Sequence, residues 1–128
     1  MKAFLAIKYY DDMRNKNLIE EICKSLEFQK FEVFAFARNV QKYGPCNLSG
    51  AEVMEKAFYE IKSSNVFVID ASELSIGIGV EAGVAYSNNI PIYLFAKNGV
   101  YVSESIKGIA KKSFFYNEPC EIKTFKIF

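Results

Sequence analysis

The chain has 128 residues, of which 51% are hydrophobic and 24% charged, with a formal net charge of +1. Those figures describe one globular domain spanning 1–128, with neither a disordered composition nor a charge imbalance calling for a nucleic-acid polymer or a membrane surface. Cys23, Cys46 and Cys120 are odd in number and widely spaced, and histidine is absent. A disulfide framework, a metal site and the Ser-His and Cys-His nucleophile pairs are therefore not expected, which leaves carboxylates and tyrosines as the chemical groups.

In chain order, "KAFLAI" (2–7) is an apolar run of strand length, and its apolar part is too short for a membrane span or a signal-peptide core. A cytoplasmic location is expected. "LIEEICKSLEFQ" (18–29) puts Leu18, Ile22 and Leu26 on one helical stripe, and "FEVFAFA" (31–37) reads as a second strand. "GAEVMEKAFYEIKSS" (50–64) places Val53, Ala57 and Ile61 on one helical face with Met54 and Phe58 beside them. "NVFVI" (65–69), "IPIYLFA" (90–96) and "SFFY" (113–116) complete the strands, with helices expected at 79–88 and 104–111. The partly alternating "EIKTFKIF" (121–128) reads as an edge strand or a segment packed on a neighbour.

Strands that are apolar throughout and alternate with helices predict a mostly parallel five-stranded sheet covered on both faces. The expected fold is a three-layer α/β/α sandwich of the Rossmann or flavodoxin-like kind. In such sheets ligands sit beyond the carboxyl ends of the strands, where the strand order reverses. The segments leaving the strands there are Tyr9-Tyr10-Asp11-Asp12, Arg38-Asn39, Asp70 to Gly79, and Lys97 to Ser103. Arg38 is placed to meet a phosphate or a base, or simply to be solvated.

"SIGIGVEAGVAYS" (75–87) holds a single charge, Glu81, among small and apolar residues. Gly77 and Gly79 let backbone N–H groups approach a ligand, the helix start behind them suits a phosphate, and Ser75 adds a hydroxyl. Glu81 is expected in the first turn of that helix, with Val80 and Val84 toward the core, either as a working group or as an acid favoured by the helix dipole. The glycine pattern comes too late in the chain for a dinucleotide fingerprint, so no nicotinamide or flavin cofactor is expected.

The run "IKSSNVFVIDASELSIGIGVEAGVAYSNNIPIYLF" resembles the core of the nucleoside 2-deoxyribosyltransferase family. Its spacing Ser75-x-Gly77-x-Gly79-x-Glu81 is similar to the branch of 2'-deoxynucleoside 5'-monophosphate N-hydrolases. The resemblance implies that Glu81 is the nucleophile attacking C1' of the sugar. It implies also that Ser75, the glycine amides and Ser103, at the head of "SESIKG", hold the 5'-phosphate. Tyr9, Tyr10 and Asp70 are alternative donors to the departing base. The implied partner is a small nucleotide or nucleoside, the implied assembly a homodimer with sites completed across the interface, and no cofactor or metal is involved. Two departures accompany the likeness. The family aspartate eight residues before Asn65 is replaced by Ala57, and a glycine usual in the first strand is replaced in the region of Ala6 and Ile7. A base-exchange transferase and a nucleotide-binding sensor without turnover are the alternatives.

Overall fold

A computed structural model describes residues 1–127. Five strands, β1 (Lys2–Ala6), β2 (Glu32–Ala35), β3 (Val66–Asp70), β4 (Ile92–Lys97) and β5 (Lys112–Tyr116), form one parallel sheet in the order β2-β1-β3-β4-β5. All four neighbouring pairs are parallel, with Leu5 opposite Ala35 and Val68, Ile69 opposite Leu94, and Phe95 opposite Phe114. The sheet, expected to be mostly parallel, is wholly parallel.

Alternation along each strand divides the core in two. Ala3, Leu5, Val33, Val66, Val68, Tyr93 and Phe95 face α1 (Lys16–Phe28), whose Ile19, Ile22, Cys23 and Leu26 are buried against them. Phe4, Phe34, Phe67, Ile69, Ile92 and Leu94 face the other layer. That layer contains α3 (Gly50–Lys62), α4 (Ile76–Ser87) and α5 (Glu104–Ile109). Phe4 stacks on Phe67 with centroids 5.3 Å apart and tilts against Phe34 at 5.5 Å, which stiffens the centre of the second layer. Ser49 and Glu52 cap α3 reciprocally, the Ser49 hydroxyl accepting from the Glu52 amide and the Glu52 carboxylate from the Ser49 amide.

Three expectations need correction. The strand expected over 31–37 ends at Ala35, and Phe36–Asn39 form a one-turn helix, α2. β2 has no neighbour beyond the Leu5–Ala35 pair, and the Asn39 side chain accepts the Ala35 N–H at 2.9 Å, so the backbone turns there. The helix expected at 79–88 starts at Ile76, because the Ser75 hydroxyl accepts the Ile78 N–H at 3.4 Å and caps it. The segment 121–128 contains no strand among its described residues. Pro119–Thr124 form a 3-10 helix packed on α1, with Ile122 buried and the Gln29 amide donating to the Ile122 and Phe125 carbonyls. Phe128 lies outside the described residues.

Candidate active site

The chain steps from β1 to β2 on one side and returns to β3 on the other, so the strand order reverses between β1 and β3. A cavity of about 300 Å³ opens at that crevice. Its floor comes from Phe4, Leu5, Ala6 and Ile7 of β1 and the residue after it, and Phe36, Ala37 and Gln41 follow β2. Val53 and Met54 of α3, and Ser75, Gly77, Ile78 and Glu81 at the start of α4, form the opposite wall. Tyr9 and Cys46 stand at the mouth and also line a second, open cavity with Asp11, Asp12 and Tyr43.

Starting α4 three residues early moves Glu81 from the expected first turn to the second. The core-facing residues of α4 are Ile78, Ala82 and Ala85, while Val80, expected inward, is 45% exposed. With that phase Glu81 sits between the core face and the outer face, half-buried at the cavity wall. Among the described residues none gives its carboxylate a hydrogen bond or an ion pair. Burial alone therefore raises its pKa, from 4.5 to about 7. An acid so placed is an available nucleophile or base, since no internal partner competes for its oxygens.

Ser75 and Gly77 line the same wall. A Cβ at residue 77 would meet nothing nearer than the Ser75 hydroxyl at 3.9 Å, so the glycine leaves room beside the helix N-terminus instead of filling a tight contact. Tyr9 reaches the cavity, whereas the Tyr10 hydroxyl is committed to Glu73, which also accepts from the Lys8 ammonium at 3.3 Å. This cluster ties the loop after β1 to the loop before α4.

The other candidates lie elsewhere. Gly79 is on the exposed side of α4, and Ser103 precedes α5; neither lines the cavity. Arg38, offered as a phosphate or base contact, instead pairs with Glu20 at 3.1 Å and Glu27 at 2.6 Å, and does not line the cavity. Asp70 is 2% exposed, accepts from the Tyr116 hydroxyl and the Ser72 amide, and is likewise outside the lining. Ala57 is fully buried in the core layer, and the α3 residues that reach the cavity are Val53 and Met54, so α3 brings no carboxylate there. Sequence reasoning missed Phe36, Gln41, Cys46, Val53 and Met54 as lining residues. The only signal for the first three was their place after β2, and the last two read as ordinary core.

No protein-family model matches the chain, and no curated protein matches it in sequence. Solved structures do match over its full length. The CMP N-glycosidase BcmB of Clostridium botulinum superposes with a TM-score of 0.70 at 20% identity, covering 100% of both chains. A 2-deoxyribosyltransferase of Bacillus psychrosaccharolyticus gives 0.74 at 18% identity, covering 99% of this chain and 93% of that one. The chain has the fold of the nucleoside 2-deoxyribosyltransferases. A conserved protein of Enterococcus faecalis V583 shares this deoxyribosyltransferase-like fold, with a TM-score of 0.74, 14% identity and 98% of each chain covered.

Proposed function

We propose that the protein cleaves the N-glycosidic bond of 2'-deoxynucleoside 5'-monophosphates, with Glu81 as nucleophile. The observation that carries this reading is a half-buried carboxylate without a partner among the described residues, lining a mostly apolar cavity at the β1/β3 crevice. The names of two neighbours, an N-glycosidase and a deoxyribosyltransferase, support the class of chemistry.

The apolar walls suit the faces of a sugar and a base, and exclude the water that would otherwise quench a cationic sugar. As the C1'–N bond breaks, its electron pair leaves with the base and a Glu81 oxygen bonds to C1'. Water then attacks C1' from the opposite face, gives up a proton and releases the carboxylate. A 2'-deoxy sugar eases the first step, because it lacks an electron-withdrawing hydroxyl beside the developing cation. Tyr9 is the hydroxyl donor at the mouth for the departing base, since Tyr10 and Asp70 are engaged elsewhere. Ser75 and the amides at the start of α4 form the phosphate end, where the helix dipole favours an anion.

A second copy of the chain is the partner in this reading. The outer face of α4, with Ile76 88% and Tyr86 60% exposed around Gly79 and Gly83, is an apolar surface suited to self-association.

Incubation with each common deoxynucleotide, followed by detection of free base, tests the reaction. Glu81→Gln is expected to slow base release about a thousandfold or more. Unchanged release from that variant overturns the proposal. A new nucleoside formed when a second base is added marks base exchange instead. Stabilisation by uncleaved nucleotide without release marks a sensor, the reading favoured by the missing α3 carboxylate.

A further inference from the structure

Two buried carboxylates stand outside the proposed reaction, Glu60, which Lys2 and Lys56 neutralise, and Asp70. Asp70 lies at the carboxyl end of β3, 2% exposed, and no cation among the described residues pairs with it. Taking a carboxylate out of water without a counter-charge is expensive, and an apolar side chain of similar size would fill the place more cheaply. Its oxygens are fully employed. Oδ2 accepts the Tyr116 hydroxyl of β5 at 2.6 Å, and Oδ1 accepts the Ser72 amide at 2.9 Å. The Ser72 hydroxyl in turn accepts the Lys97 amide of β4 at 2.8 Å and lies 3.4 Å from the Tyr116 hydroxyl. One residue beyond β3, the Ala71 amide continues the ladder to the Phe95 carbonyl at 2.7 Å. Burial and the neighbouring Asp70 charge raise the Tyr116 pKa, so this hydroxyl stays a donor at working pH.

The cluster therefore binds the ends of β3, β4 and β5 to Ser72, in the turn that leads to α4. At the next residue, Glu73 is held by Lys8 and Tyr10, and Ser75 then caps the helix. We infer that Asp70 is a positioning residue: clasped by Tyr116 and Ser72, it fixes the turn between β3 and α4, and so sets where α4 begins and how Glu81 meets the cavity. Its effect passes through the turn, with no contact to substrate. The inference rests on the role given to Glu81 above.

Titration of the Glu81 side-chain carboxyl by carbon-13 NMR, in the wild type, Tyr116→Phe and Asp70→Asn, tests it without substrate. Both variants are expected to move the Glu81 midpoint from about 7 toward the ordinary carboxylate range, as a loosened helix start admits water. Base release is expected to lose on the order of ten- to a hundredfold in kcat with little change in KM. Should Asp70→Asn fail to fold, Tyr116→Phe removes only the hydroxyl's bonds to Asp70 and Ser72 and leaves the carboxylate in place. A Glu81 midpoint and a kcat equal to the wild type, with only the melting temperature lowered, overturn the inference. A wild-type protein silent toward every nucleotide sinks the proposed reaction alone, and the midpoint shift in the variants still upholds the clasp.

Discussion

Glu81 extends into a mostly apolar cavity, and no lysine or arginine is among the residues that line it. Loss of water is the single cause that raises its pKa, to about 7, so near neutrality the side chain is divided between acid and carboxylate. Only the carboxylate can add to a sugar carbon. The pH profile of kcat/KM is therefore expected to rise through a midpoint near 7 and level off above it. A rate that falls over the same interval would place the protonated acid, and a different mechanism, at the site. At neighbouring positions, Tyr9→Phe is expected to slow release of bases that need a proton more than of bases that leave unaided. A competition assay with two such nucleotides measures the difference.

At the scale of the element, α3 and α4 are each started by a serine, with different consequences. Ser49 completes a reciprocal cap on α3, whereas Ser75 caps α4 at the wall of the cavity. Ser49→Ala and Ser75→Ala are each expected to cost about 1 kcal/mol of stability in chemical denaturation. Only Ser75→Ala is expected to reduce the preference for a monophosphate over its nucleoside. Equal loss of that preference in both variants would separate Ser75 from phosphate recognition.

The same elements show what the sequence carries. Uninterrupted apolar strands alternating with amphipathic helices led directly to the parallel sheet, because only a sheet buried on both faces has that pattern. Phe36 and Ala37 misled because apolarity cannot tell a strand from a short helix beside a cavity, and β2 stops where its neighbour no longer pairs with it. Gly77 and Gly79, poor helix formers, hid the early start of α4, although Ser75 was the capping signal for it. Pro119 opens the last helical turn, a role proline favours, but the alternation that follows it imitates a strand. Val53 and Met54 would read alike whether they faced protein or an opening. Glu81 was legible as a lone charge, but its lack of a partner was not, since that depends on what four separate segments bring to the crevice.

Over the whole molecule, two buried or half-buried acids pull stability in opposite directions. Although burial alone would raise Glu60, hydrogen bonds from Lys2 and Lys56 hold its carboxyl below the ordinary range. Its contribution is thus present above its unfolded pKa and lost as pH falls. Glu81 is raised instead, so its contribution is complete below about 4.5 and lost as pH rises through about 7. Melting temperature is expected to peak near about pH 5 and then decline, by roughly 1–3 kcal/mol in stability terms. Glu81→Gln is expected to flatten the decline, which a series of thermal scans across pH will show. Sedimentation is expected to give a dimer, and Val80→Glu, on the outer face of α4, a monomer; a wild-type monomer would leave that face without its proposed occupant.

Every strand runs in the same direction, and Lys2, joined to Glu60 and to Asn65, fastens the edge of the sheet opposite the cavity. A tether attached ahead of Lys2 therefore leaves from the rear of the molecule. Protein captured on a solid support by that end presents its opening to the bulk solution, so immobilisation should leave small-molecule access intact.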